Sequence, residues 1–246
     1  RTREYDIQNM IKKIFRNKGF SSGFGIITAL IVLAIFAPLI SSYAPDEIDS
    51  KNLLMPPSLE HLMGTDQLGR DVYARVIYGA RISLSVGMIV ILIATAIGVF
   101  FGAISGYYGG ILDYLVMRFT DIMLCFPVFF LILAVIAMLE PSIFNIIFVL
   151  GLTSWMGQAR FIRAEILTLK NREYVLAAKA YGASDALIVI KHLIPNSMGP
   201  VLVSAILGVA NAILAESSLS FLGIGIQPPT PSWGNILSDA KSTLGL

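Results

Sequence analysis

"ISLSVGMIVILIATAIGVFFGAISGYYGGIL", residues 82–112, runs for 31 residues without a charged side chain. A helix crosses the hydrocarbon of a bilayer with about 20 apolar residues, so this run can span it. The run is continuously apolar rather than alternating, which favours a helix over a strand of a membrane barrel. Four more charge-free stretches accompany it: Gly19–Pro45, Ile122–Leu139, Pro141–Ala159 and Leu193–Ala215, with His taken as neutral. No soluble core needs five such runs. Of the 246 residues 56% are hydrophobic and 14% charged, against about 25% charged in a soluble domain. The sequence is that of an all-α integral membrane protein, with spans expected at 22–42, 82–106, 120–139, 142–160 and 197–216.

The N-terminus combines Lys12, Lys13, Arg16 and Lys18 with an apolar run and Ser42-Tyr43-Ala44, the outline of a signal peptide. That run is long enough to span and other spans follow, so it is read as a retained first span. The single cysteine, Cys125, excludes an internal disulfide and a cysteine-based metal cluster.

Charge sets the orientation. The N-terminal segment, the 105–118 loop and the 158–196 loop share one side and carry 13 Lys and Arg, whereas the 46–81 loop, the 140–142 turn and the C-terminal tail carry 5. The positive-inside rule places the first set, with the N-terminus, in the cytoplasm. The 46–81 loop and the 217–246 tail then lie outside. Gly223, Gly225, Pro228, Pro229, Pro231 and Gly234 make the tail a poor span, so a short helix or re-entrant piece is expected there.

The 161–196 loop contains "EYVLAAKAYGASDALIVIKHLIPN", Glu173–Asn196. Asn171 is expected to cap a first helix, with Glu173 in its first turn. Gly182 suits a left-handed C′ position, Ser184 and Asp185 open a second helix, and Pro195 is expected to end it. Ala177, Ala178, Gly182 and Ala183 leave little bulk around the turn, and Tyr181 offers one large anchor. Such a surface fits either a partner protein or the chain's own membrane helices.

This segment resembles the "EAA" loop of bacterial ABC importer permeases: Glu-Ala-Ala, three residues, Gly, nine residues, Ile-x-Leu-Pro. Here Ala177-Ala178, Gly182 and His192-Leu193-Ile194-Pro195 keep that spacing, with Leu176, His192 and Ile194 departing from it. "HLMGTDQLGRDVYARVIYGARISLSVG" (61–87) and "ESSLSFLGIGIQPPTPSWGNILSDA" (216–240) resemble the second, C-type permease subunit of dipeptide, oligopeptide and nickel importers. The resemblance implies a type I transmembrane helical bundle in the bacterial cytoplasmic membrane. It implies a second homologous permease, two cytoplasmic ATP-binding subunits holding ATP and Mg, and an extracytoplasmic solute-binding protein as partners. Glu173, Ala177, Ala178, Tyr181, Gly182, Ala183, Ser184 and Asp185 would form the helix that docks on an ATPase. The family has six spans, so a sixth is expected beyond the five read here.

No G-x-x-x-x-G-K-[ST] loop occurs, so ATP binding on this chain is not expected. No cofactor, metal or nucleic acid is expected either. Candidate residues at the extracytoplasmic face are His61, Asp66, Arg70, Asp71 and Trp233; Gly64, Thr65, Gly69 and the charges among them also suit a folded structural loop. Glu216, at the end of the fifth span, is a candidate pathway residue or an interfacial cap. Asp121 is expected to pair with Arg118, and Pro38 and Pro127 to kink their spans. The spans carry neither the midplane charges of an ion-driven transporter nor a set of catalytic side chains. Peptide and nickel uptake are not separated by these motifs.

Overall fold

The computed structural model describes residues 18–139 and 142–243. The basic residues Arg1, Arg3, Lys12, Lys13 and Arg16 used in the orientation argument lie outside them. All regular structure among the described residues is helical: α1 (Lys18–Ile35), α2 (Ala37–Ile40), α3 (Val72–Tyr108), α4 (Gly110–Cys125), α5 (Val128–Ala137), α6 (Ile143–Leu169), α7 (Glu173–Ala180), α8 (Asp185–Phe221) and α9 (Trp233–Thr243).

Among the described residues three helices are long and apolar enough to cross a membrane, α1, α3 and α8, and a fourth span results if the bent pair α4–α5 counts as one. The five-span expectation differs at two places. Pro127 does more than kink its span: α4 and α5 meet at 82°. Proline cannot donate to the preceding turn, and Phe126 before it is held extended (φ −85°, ψ 133°). The other difference is α6, expected as a span at 142–160. It is 27 residues long, but Thr153, Ser154, Gln158 and Arg160 dilute its apolar surface. The helix is central to its unit: α4, α5 and α8 all pack on it, and eleven of its residues are buried.

The chain divides into two compact units, residues 1–82 with 230–233, and 83–229 with 234–246. In the first, α1 is almost bare, with Ala34 its one buried residue and large apolar side chains outward. Such all-round apolarity suits lipid contact. The segment expected as an open loop at 46–81 is helical from Val72 onward.

In the second unit, α3 and α6 touch backbone to backbone. A Cβ on Gly98 would lie 2.6 Å from Gln158 Cβ, on Gly102 2.6 Å from the Ala159 carbonyl oxygen, and on Gly106 2.9 Å from that of Arg163. Glycines four residues apart form one stripe on a helix, the arrangement by which membrane helices approach closely. Charged pairs fasten α6 to α4. Arg163 holds Asp113 of α4 through two bonds of 2.5 and 2.6 Å, and Ser105 of α3 donates to the same carboxylate. Asp121 does meet Arg118, at 3.8 Å, but Arg160 of α6 is much nearer at 2.5 Å.

Candidate coupling surface and loop cluster

Residues 173–185 fold as the sequence suggests, with local differences. Helix α6 extends to Leu169, so residues 170–172 form the turn and Arg172, not Asn171, occupies the cap position of α7. Gly182 has φ +79°, a left-handed backbone that costs a residue with a Cβ about 1–2 kcal/mol. Its N–H reaches the Lys179 carbonyl at 3.0 Å, and that of Ala183 reaches the Ala178 carbonyl at 3.1 Å. Ser184 Oγ then accepts from Leu187 N–H at 3.4 Å to open α8.

Pro195 does not end this second helix. Residues Ile188–Leu193 form a π-helical turn, and Pro195 falls in the first turn of the α-helix that follows, where its missing N–H is tolerated. The helix therefore runs unbroken from Asp185 to Phe221 over 37 residues.

The elbow is anchored from beneath. Val175 and Ile188 are buried with Ile162 and Ile166 of α6 and Ala103 of α3, and Ala178 and Ala183 pack against that cluster. Tyr107 at the end of α3 donates to Asp185 at 2.5 Å, and Lys170 donates to the Gly106 carbonyl at 3.1 Å. The other face is open: Glu173, Tyr174, Leu176, Ala177 and Ala180 are exposed, and Tyr181 is 93% exposed. The small residues thus divide between two uses, Ala178 and Ala183 inward and Ala177 and Gly182 outward.

In the first unit the residues proposed for an external face turn inward. His61 and Asp71 are buried and bonded at 2.9 Å, with Tyr43 against the imidazole at 4.7 Å between ring centres. Asp71 Oδ2 also accepts from Ala74 N–H at 2.7 Å and so caps α3. Asp66 takes Nε of Arg70 at 2.7 Å and an Nη of Arg75 at 2.6 Å. Burial raises its carboxyl pKa, but the backbone N–H groups of Arg70 and Leu68 and the Arg70 guanidinium outweigh burial and hold it below the ordinary range. Gly69 (φ +75°) lies so close to Asp49 that a Cβ would be 1.8 Å from its carbonyl oxygen. Trp233 is half-buried, its Nε1 donating to the Val76 carbonyl at 3.2 Å. These five residues build the loop. The loop exposes large apolar side chains, Leu59 at 99% with Ile48, Leu62 and Met63, alongside the charged Asp46, Glu47, Lys51 and Glu60. Sequence reasoning passed over the apolar group because it followed the charged cluster, whose Asp66, Arg70 and Asp71 pair internally.

Glu216 is likewise no open pathway group here. It is fully buried, accepting from Ser220 at 2.7 Å and Ser83 at 3.2 Å. Among the described residues no group of three or more His, Cys, Asp or Glu is placed to hold a metal ion.

A helical chain with apolar spans and an exposed elbow on a buried seat is the framework of a membrane permease. The chain belongs to the family described as binding-protein-dependent transport system inner membrane component, whose model matches residues 98–245. Residues 7–57 match the N-terminal TM domain of oligopeptide transport permease C. Among its relatives, the dipeptide transport system permease protein DppC of Alkalihalophilus pseudofirmus is 42% identical over 230 residues, 94% of this chain and 76% of that protein. The oligopeptide transport system permease protein OppC of Bacillus subtilis is 40% identical over 93% of this chain and 75% of its own length. The glutathione transport system permease protein GsiD of Escherichia coli is 40% identical over 89% and 72%.

Proposed function

We propose that this chain is the permease subunit of an ATP-driven importer of short peptides, forming half of the translocation pathway. The family and the peptide-permease relatives support the transport role. The observation that carries the coupling mechanism is the two-sided elbow: Val175 and Ile188 buried to 3% and 0% on one face, Tyr181 93% exposed on the other. An exposed tyrosine on a helix whose opposite face is fixed to the core is suited to a partner's pocket.

ATP and Mg belong to two separate cytoplasmic subunits, one of which receives Glu173, Tyr174, Ala177 and Tyr181 in a groove. Closure of the ATPase pair pushes the elbow, and α8 carries the displacement to the spans. This is selection between two states by differential contacts, with no chemistry on this chain. A second homologous permease supplies the other half of the pathway, and a solute-binding protein delivers the peptide at the extracytoplasmic face. There the exposed Leu59, Leu62 and Met63 take the docking role first considered for His61, Asp66, Arg70, Asp71 and Trp233. The assembly sits in the bacterial cytoplasmic membrane with the N-terminus inside.

The test is Tyr181→Ala in the assembled importer in lipid. An exposed ring contributes little to the fold, so expression and thermal unfolding stay at the wild-type level. Peptide-stimulated ATP hydrolysis is expected to fall at least about tenfold, as for a central interface aromatic. Unchanged ATPase binding and stimulation would remove the elbow as the docking site.

A further inference from the structure

A cavity of about 490 Å³ opens between α3, the α4–α5 pair, α6 and α8. Its walls are largely apolar, with five neutral polar side chains among them: Thr153, Ser154 and Gln158 of α6, and Ser204 and Asn211 of α8. Among the described residues no charged side chain lines it. Thr153 is satisfied by the Val149 carbonyl at 2.8 Å, and Ser204 donates to Gln158 Oε1 at 3.2 Å.

That bond fixes the Gln158 amide, for Gln158 is 8% exposed. With its oxygen taken by Ser204, its Nε2 is left as a donor without a hydrogen bond among the described residues. Ser154 and Asn211 are exposed and make no side-chain hydrogen bond among the described residues, so both are open to a ligand in the cavity. Three neutral polar side chains on two helices facing one otherwise apolar cavity suit a polar, uncharged occupant.

We infer that this cavity is a binding groove for the main chain of a passing peptide, with Gln158, Ser154 and Asn211 as its hydrogen-bonding groups. The inference rests on the importer reading and specifies how the substrate is recognised. Peptides share backbone N–H and C=O groups and differ in side-chain charge. A wall with neutral donors and acceptors reads what they share. A wall without countercharges gives no acidic or basic side chain an advantage. The amide of Gln158 donates to a peptide carbonyl, Asn211 both donates and accepts, and the apolar remainder receives side chains without specific bonds.

The experiment uses the complete importer in proteoliposomes with one solute-binding protein throughout, and Ala-Ala-Ala, Ala-Lys-Ala and Ala-Glu-Ala as probes. ATP-driven uptake is measured for wild type, Asn211→Asp and Asn211→Lys at saturating binding protein. Asn211→Asp is expected to raise the ratio of Ala-Lys-Ala to Ala-Glu-Ala uptake about fivefold, and Asn211→Lys to lower it as much, since two charges about 4 Å apart attract measurably even in a solvated site. Damage to the fold cannot reverse sign with the introduced charge. Ser154→Asp repeats the measurement from α6 if an Asn211 variant fails to fold. Gln158→Leu is expected to slow all three peptides alike, by about two- to tenfold for one hydrogen bond. Unchanged uptake ratios in folded Asn211 charge variants, or wild-type uptake of all three peptides by folded Gln158→Leu, overturn the groove while leaving the importer standing. Absence of ATP-driven uptake of every probe by wild type overturns the importer reading and the groove with it.

Discussion

Gly102→Leu is expected to leave no folded permease. The Cβ alone would stand 2.6 Å from the Ala159 carbonyl oxygen and 2.9 Å from Ile162 Cβ. The first of these is backbone and cannot swing aside. Overpacking a core typically costs about 1–3 kcal/mol, and here α3 must also withdraw from α6 along the whole stripe from Gly98 to Gly106. Separation would break the seat of the elbow, because Ala103, Ile162 and Ile166 belong to the same cluster as Val175 and Ile188. Size-exclusion profiles in detergent check this: the Leu variant should aggregate, with Gly102→Ala intermediate. Gly199→Leu is the control, because nothing lies within 4 Å of a Cβ there. A monodisperse Gly102→Leu protein with normal uptake would refute the close approach of α3 and α6.

Asp66→Ala is expected to cost about 3–5 kcal/mol, the penalty for removing one partner of a buried ion pair. Its side chain is only 10% exposed, and those of Arg70 and Arg75 8% and 3%, so the guanidinium groups lose their shared carboxylate where water is scarce. The effect should be local first, with faster proteolysis of residues 46–68 and a lowered thermal midpoint. The pH dependence has a definite sign. The folded-state pKa of Asp66 lies below its ordinary value. Its stabilising contribution is therefore complete above the unfolded carboxylate range, about pH 4, and is lost as pH falls through the lower folded value. Wild type should show an acid-limb loss of stability that Asp66→Asn, already weakened at neutral pH, largely lacks. Identical acid limbs in the two proteins would rule out this role.

The spans were legible where apolarity is continuous, because lipid demands it: α1, α3 and α8 follow from hydropathy alone. Helix α6 is less apolar than those three, since a helix sheathed by other helices is free to carry Thr153 and Gln158. Whether a run faces lipid or protein is a tertiary property. Gly98, Gly102 and Gly106 were a signal at the right spacing that went unused, hidden within the run first taken as mere hydrocarbon. The elbow was legible because its turn depends on local backbone: Gly182 needs its left-handed conformation and Ser184 caps the next residues. The loop charges were not, because Asp66 and Asp71 find partners four to ten residues away in a fold that periodicity does not reveal. Pro195 misled for a related reason: proline ends a helix only where its N–H is needed, and the π turn before it changes which N–H groups are needed.

That π turn, Ile188–Leu193, has a further consequence for how the molecule tolerates change. A π turn holds one residue more than the α-helix around it accommodates, so the stretch between elbow and groove contains one residue of slack. Removing Ile190, whose side chain is 68% exposed, would take up that slack with both flanks still in phase. It is therefore a place where a one-residue deletion can be absorbed instead of turning Ser204 and Asn211 away from the cavity. The shortened rod would be stiffer in torsion, each of its turns then closed by α-helical hydrogen bonds.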